Sequence, residues 1–178
     1  MKLFILPLLI ISLVITSCEV QKVEIEKTSS SESFLPMEIG NYWRNGDHTY
    51  TEIRDTVRFD GKLYYKFYSL IGGDAISEEY LRIDDHNQLW SGNPGNSGKE
   101  YLKAKFDAKV GDTFYTLNDK TWNDYLVKLV EKSETKRVFE FDMVYHPNLK
   151  GQKHNVTYIK GKGFEGPWQS VRISGVVY

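Results

Sequence analysis

The sequence contains one cysteine, no long run of charges of one sign and, beyond its first 16 residues, no long apolar stretch. A single cysteine, Cys18, excludes an internal disulfide. The formal net charge is −1, and lysine and arginine are interspersed with acidic residues. This balance gives no electrostatic footprint for nucleic acid and no basic patch for an anionic lipid surface.

Sequence signatures of catalytic and metal sites are also missing. There is no G-x-S-x-G motif and no H-E-x-x-H pair. Residues 161–166 match the letters G-x-G-x-x-G, but Pro167 and Trp168 lead into another predicted strand, where a dinucleotide site needs a helix. Residues 84–87 lack the glycine and the terminal glutamate of a calcium loop, and they fit an Asx turn. The sequence therefore predicts no catalytic residue, no metal site and no cofactor.

The first segment of the chain has the composition of an export signal. Lys2 is the only charge before Glu19, and residues 3–16 are almost entirely apolar. This run is shorter than the roughly 20 apolar residues that a membrane-spanning helix needs. A basic start, a short apolar core and small residues at the end are typical of a secretory signal peptide, predicted here for residues 1–17.

The end of this segment, Ile15-Thr16-Ser17-Cys18, resembles the bacterial lipobox. In that family the cysteine thiol carries a diacylglycerol, and the freed amine usually carries a further acyl chain. Two or more acyl chains hold a protein firmly on a bilayer, whereas one binds marginally. The resemblance implies lipidation of Cys18 and a lipid-anchored protein of the bacterial cell envelope. The expected membrane is the outer one, with the domain facing the periplasm or the cell surface.

The mature chain divides into a linker and one domain. Residues 18–33 are polar, acidic and rich in serine, which is typical of a flexible tether. Because Val20, Val23 and Ile25 alternate weakly with charged residues, a short edge strand is the alternative. A coil of this length has a root-mean-square span of roughly 20 Å, so the domain stays near the bilayer. Residues 34–178 have the length of a single domain.

Short motifs in the domain resemble small secreted β-domains and lipoproteins of Bacteroidetes. Residues 34–43 (FLPMEIGNYW) combine an aromatic residue, a proline and Gly-Asn-x-Trp, and residues 110–114 (VGDTF) and 158–163 (YIKGKG) agree with the same pattern. The acidic stretch after Cys18 also resembles the surface-sorting signals of such lipoproteins. These domains have no assigned activity, so the resemblance implies a fold and a compartment only.

Aromatic and β-branched residues point to β-structure. The chain has 12 Tyr, 9 Phe and 4 Trp, and such residues suit half-buried pleated surfaces. No window shows a helical period. Alternation predicts strands at 53–59, 62–67, 79–83, 88–90, 99–105, 113–117, 125–131, 136–145, 156–160 and 169–177. We predict an all-β antiparallel domain, an up-and-down barrel-like or strongly curved sheet with no substantial helix after the signal peptide.

The register of the first predicted hairpin follows from its apolar faces. A two-residue Asp-Gly loop would mix the faces, whereas a three-residue loop, 59–61, pairs Val57 with Leu63 and Ile53 with Phe67. The sequence therefore predicts the three-residue loop, with Gly61 supplying both the left-handed residue and the bulge.

Three residues are candidates for ligand binding. Tryptophans on a β-surface stack on sugar rings or anchor protein partners. Trp43 is expected in the core, which leaves Trp90, before a Gly/Asn loop, and Trp122, in a polar segment. The third candidate is Asp55, which the predicted register places on the inward face opposite Tyr65. A carboxylate there needs hydrogen-bond donors within the protein, or it orients a ligand.

These observations predict a membrane-anchored envelope lipoprotein with a non-catalytic binding or scaffolding domain. The expected partners are the membrane, through the N-terminal lipid, and an envelope protein or glycan, but not nucleic acid. One alternative is a carbohydrate-binding lipoprotein, which Trp90 and Trp122 on one concave face would favour. Another is an envelope hydrolase, which a buried pair of carboxylates in a cleft would favour.

Overall fold

The computed structural model of the chain describes residues 31–178. Within these residues the regular elements are all β-strands, and no helix is long and apolar enough to cross a bilayer. The strands are β1 (Tyr42–Arg44), β2 (Tyr50–Phe59), β3 (Lys62–Ile71), β4 (Ala75–Ile83), β5 (Gln88–Gly92), β6 (Glu100–Lys105), β7 (Thr113–Tyr115), β8 (Leu126–Lys132), β9 (Lys136–Asp142), β10 (His154–Ile159), β11 (Gly163–Phe164), β12 (Ser170–Ile173) and β13 (Val176–Val177).

The strands form two antiparallel sheets. The first has eight strands in the order β13-β12-β1-β2-β3-β4-β5-β6, and the second has five in the order β11-β10-β9-β8-β7. Within β1–β6 and within β7–β11 each strand pairs with its chain neighbour, and β12 returns to pair with β1. A backbone hydrogen bond of 2.9 Å from Leu102 to Thr116 links β6 to the segment after β7. The predicted all-β antiparallel fold is confirmed, and over residues 31–178 it consists of two sheets that do not close into one barrel.

The apolar core lies between the sheets, because alternate residues of each strand point the same way. Its largest fully buried side chains are Trp43, Phe106, Phe139, Leu35, Ile53, Leu81, Leu89, Leu129 and Val127. The Trp43 indole N–H donates to the Lys162 carbonyl at 2.6 Å, which ties β1 to the turn between β10 and β11. Trp43 is therefore in the core, as predicted. Truncating a tryptophan to alanine in a core lowers the free energy of unfolding by about 3–5 kcal/mol.

The last residues of the predicted tether contact the domain. The Ser33 carbonyl accepts a hydrogen bond of 2.8 Å from the Gly161 amide, and Glu32 pairs with Lys160 at 2.5 Å. Residues 31–33 therefore lie against the β10–β11 turn. Cys18, the signal peptide and the remainder of the tether are outside the described residues.

The β2–β3 hairpin turns through two residues, Asp60 and Gly61. Val57 pairs with Tyr64 and not with Leu63, so the predicted three-residue loop is wrong. Both loop residues are left-handed, with φ of 50° and 72°, and an Asp-Gly pair in this conformation matches the twist of the flanking strands. The left-handed glycine is confirmed.

A bulge inside β2 changes the pairing of β2 with β3 by one residue in the part of the strand away from the turn. It lies between Ile53 and Asp55, and it brings Ile53 opposite Phe67 as predicted. Asp55 pairs with Lys66 instead of Tyr65 and its side chain is exposed. The predicted inward position of Asp55 is wrong, because the extra residue of the bulge turns this side chain to the solvent face.

Candidate functional site

A cavity of about 440 Å³ opens between the two sheets. One wall comes from β4, β5 and β6, and the opposite wall comes from β9, β10, β11 and the β7–β8 loop. Its buried lining side chains are Leu81, Leu89, Phe141, Thr116 and Tyr158; its half-buried or exposed lining side chains are Glu79, Tyr101, Lys103, Asn123, Tyr125, His154, Val156 and Phe164. A volume of this size, apolar deep inside and polar at the rim, falls in the range of small-molecule sites.

Strand alternation and a bulge place two charged groups in the cavity. Glu79 has the same parity as Leu81 in β4, so both side chains face the opposite sheet. In the β5–β6 pair, Leu89 of β5 is opposite Ala104 of β6, and Trp90 is opposite Leu102. Lys103 is therefore the extra residue of a bulge in β6. Bulges re-aim side chains, and this one directs Lys103 to the cavity lining.

These two charges, on β4 and β6, pair with each other across the intervening strand β5. Lys103 Nζ lies 3.2 Å from Glu79 Oε1, with 36% and 42% of the side chains exposed. An ion pair this exposed contributes about 0–1 kcal/mol to stability. It leaves the rim of the cavity electrically balanced.

An aromatic group forms another part of the rim. His154 of β10 lies directly opposite Phe141 of β9, and their rings stack with centroids 5.4 Å apart and planes at 17°. The ring of Tyr125 meets His154 edge-on at 6.0 Å. Cross-strand pairs of this kind fix ring orientation, so the cavity presents the exposed imidazole in a defined position.

The β7–β8 loop, which supplies Thr116, Asn123 and Tyr125 to the cavity, is organised by one buried carboxylate. Asp124 has 0% exposure. Its Oδ1 accepts hydrogen bonds from the Thr116 hydroxyl and from the backbone amides of Leu117 and Asn118, and its Oδ2 accepts them from the amides of Asp119 and Lys120. The sequence analysis missed Asp124, because nothing in a polar loop sequence marks which acidic residue turns inward.

The structure does not bring the three predicted binding residues together. Trp90 pairs with Arg82 on the face of the sheet opposite to Leu81, is half-buried, and donates its indole N–H to Asp84 Oδ2 at 2.8 Å. Trp122 is 63% exposed in the β7–β8 loop, with its ring 5.8 Å from that of His146. Asp55 is on the solvent face of β2, and none of the three lines the cavity.

A second polar cluster occupies the outer face of the eight-stranded sheet. The Glu100 carboxylate accepts hydrogen bonds from Tyr64 at 2.6 Å, from Arg82 at 2.7 Å and from Lys62. Burial alone would raise the pKa of Glu100, but these three donors outweigh it and hold the pKa below its usual value. Burial, followed by the bond to Glu100, raises the pKa of Tyr64 to about 12. The mutual pairing of these groups indicates a structural network.

Within residues 31–178, Asp84, Asp85 and His86 are the one group of three potential metal ligands whose oxygen and nitrogen atoms all lie within 4.8 Å of one another. Asp84 Oδ1 accepts the amides of His86 and Gln88, at 3.0 and 2.9 Å, while Oδ2 accepts the indole of Trp90. Both oxygens thus hold the turn together, which supports the Asx-turn interpretation.

Comparison of the chain with protein-family models, with characterised proteins and with solved structures gives no match. The inter-sheet cavity is therefore selected as the candidate site on its geometry and chemistry.

Proposed function

We propose that the protein is a lipid-anchored component of the bacterial envelope whose β-domain binds a small molecule, without catalysis, in the cavity between its sheets. The observation that supports binding is the cavity of about 440 Å³ with an apolar interior and a polar, charge-balanced rim. Anchoring is supported by the lipobox pattern that ends at Cys18.

The way the acidic residues are buried favours binding over hydrolysis. Asp124 is the only Asp or Glu in residues 31–178 that is fully buried, and its two oxygens are occupied by loop donors. A general acid must donate a proton to the substrate, and a general base must accept one from it, so either needs a carboxyl oxygen directed at the substrate. Within the described residues, the hydrolase alternative thus lacks the buried pair of carboxylates that would favour it.

A carbohydrate ligand is the second candidate. The observation that favours it is the aromatic rim of the cavity, formed by Tyr101, Tyr125 and His154, because such rings stack on sugars. Trp90 and Trp122 do not support it, since neither lines the cavity.

We expect Cys18→Ser to abolish acylation and to leave an uncleaved or soluble protein, because serine lacks the thiol that receives the diacylglycerol. Metabolic labelling with a radioactive fatty acid measures this. Ser17→Ala is the control, since it keeps a small residue before the cysteine and should be labelled like the wild type. A Cys18→Ser protein that is labelled as strongly as the wild type would exclude the lipobox interpretation.

We expect Val156→Trp to block the cavity, because Val156 lines it and is only half-buried. The measurement is a fluorescence titration with 2-acetylnaphthalene, using the full chain carrying Cys18→Ser so that no acyl chain competes. Asn155→Trp is the matched control, since the neighbouring side chain is exposed and points away from Val156.

Saturable binding that Val156→Trp removes and Asn155→Trp retains supports the proposed site. Binding that survives both substitutions contradicts it. Thermal melts verify that both variants fold, and Val156→Phe, which fills less space, replaces Val156→Trp if that variant does not.

A further inference from the structure

The side chain of Tyr158, in the wall of the cavity, is buried, and its hydroxyl has no hydrogen-bond partner among the described residues. Tyr158 is 3% exposed, and its ring packs against Phe106, Phe139 and Phe164 at centroid distances of 5.2, 6.0 and 5.6 Å. Tyr158 also lines the cavity, but no hydrogen bond joins its hydroxyl to another residue of 31–178. The hydroxyl of a buried tyrosine usually finds a hydrogen-bond partner, so this hydroxyl is suited to a partner that enters the cavity.

The surroundings of this hydroxyl set its role as a donor. Burial, and then the negative charge of Glu79, raise the pKa of Tyr158 far above its usual value. The hydroxyl therefore stays protonated and offers a hydrogen bond to an acceptor oxygen. In residues 31–178 the fully shielded side-chain polar atom without a partner is Arg44 Nε, so the unpaired Tyr158 hydroxyl keeps some accessible surface. Since Tyr158 lines the cavity, the cavity is where a partner can reach this hydroxyl.

The charged groups of the cavity lining offer no free cation to an anionic ligand. Glu79 and Lys103 form an electrically balanced pair, with the Lys103 ammonium group 3.2 Å from Glu79. A carboxylate or phosphate that enters the cavity would lose hydration without gaining an unpaired positive charge. A neutral oxygen acceptor avoids this cost.

The rest of the lining suits an apolar body. Leu81 and Leu89 are 1% exposed and face the cavity from one sheet, while Val156 and Phe164 face it from the other. Burying apolar ligand surface against such walls favours binding. The polar groups able to bind a ligand lie at the rim, apart from the Tyr158 hydroxyl in the buried part.

We propose that the cavity takes a neutral amphipathic molecule whose apolar body packs between Leu81, Leu89 and Val156 and whose carbonyl or hydroxyl oxygen accepts a hydrogen bond from Tyr158. This rests on the proposed function, because it names the ligand class of the same cavity. A lipid-anchored domain remains close to a membrane, which is a source of molecules of this class.

Three naphthalene derivatives with substituents of three heavy atoms test the proposal. 2-Acetylnaphthalene carries a neutral acceptor, 2-isopropylnaphthalene carries none, and 2-naphthoate carries an anion. Each is titrated into the full chain with Cys18→Ser, with and without Tyr158→Phe. A fourth probe, methyl β-D-glucopyranoside, represents a carbohydrate without an apolar body.

Tyr158→Phe removes only the hydroxyl and keeps the packed ring. We expect it to weaken binding of the acetyl probe by about twofold to tenfold, the range of one neutral hydrogen bond, and to leave the isopropyl probe within about twofold. In the protein that retains Tyr158, 2-naphthoate should bind more weakly than 2-acetylnaphthalene. Tyr158→Phe should not lower the melting temperature, since no protein hydrogen bond is lost, whereas the control Tyr64→Phe should lower it by breaking the bond to Glu100.

The contrary outcomes are separable. If the naphthoate binds most tightly, or if Tyr158→Phe weakens the acetyl and isopropyl probes equally, the ligand class is wrong while a binding cavity stands. If only the glucoside binds and Val156→Trp blocks it, the cavity is a carbohydrate site and the amphipathic class is wrong. If no probe binds in a manner that Val156→Trp removes, the proposed function itself fails.

Discussion

Asp124→Ala is expected to lower the free energy of unfolding by about 3 kcal/mol, because it leaves several buried donors of the β7–β8 loop without an acceptor. The carboxylate accepts four backbone amides and one hydroxyl. Asp124→Asn should also destabilise the protein. Each carboxylate oxygen faces N–H donors, so the amide NH₂ of asparagine meets a donor in either orientation. Urea denaturation measures both losses.

Asp119→Ala is the control for this result. Asp119 is in the same loop and accepts hydrogen bonds from the amide and hydroxyl of Thr121, but it is exposed, so we expect a much smaller loss of stability than at position 124. Because Asn123 and Tyr125 flank Asp124 and line the cavity, the alanine variant should also weaken probe binding. Equal stability losses at positions 119 and 124 would contradict the organising role of Asp124.

Gly163→Ala is the second substitution with a large expected effect, about 3 kcal/mol or more, from backbone strain and overpacking together. Gly163 has φ of 83°, and an added methyl carbon would lie 2.7 Å from Trp43 Cζ2 and 3.1 Å from Leu35 Cδ1. Both neighbours have 0% exposure and have no room to move away. A thermal or urea melt measures the loss.

Gly61→Ala separates the two causes. Gly61 has a similar φ of 72°, but no atom lies within 4 Å of an added methyl group. Its loss should be near 1 kcal/mol, from the left-handed backbone alone. The difference between the variants then measures the contact with Trp43 and Leu35. If Gly163→Ala is no more destabilising than Gly61→Ala, the close packing of the β10–β11 turn on Trp43 is incorrect.

Alternation and turn residues were sufficient to predict the fold class, because both are local properties of the chain. Trp43 was correctly placed in the core. The register of β2 was predicted only in part, since a bulge that inserts one residue leaves the apolar pattern on either side intact. The position of the bulge next to Ile53 depends on how β2 packs against β3, and the sequence of β2 alone does not specify it. Asp55 was misplaced for this reason.

The cavity was beyond sequence analysis because it is made by the distance between two sheets. Exposed aromatic residues pointed to Trp90 and Trp122, whereas the cavity uses inward residues from many strands. A usable signal was nonetheless present in β4, where Glu79 has the same parity as Leu81 and Ile83. A charge at an inward position of an otherwise apolar face indicates either a structural pair or a site, and here Glu79 pairs with Lys103 and lines the cavity.

The binding claim is tested most directly by locating a bound probe with methyl NMR. Leucine and valine methyl groups of the full chain carrying Cys18→Ser are observed during titration with 2-acetylnaphthalene. The signals of Leu81, Leu89 and Val156 should shift and saturate at one common concentration, while those of Leu129, in the core away from the cavity lining, and of exposed Val177 should stay in place. Shifts at Val177 with none at Leu81, Leu89 and Val156 would contradict a binding site between the sheets.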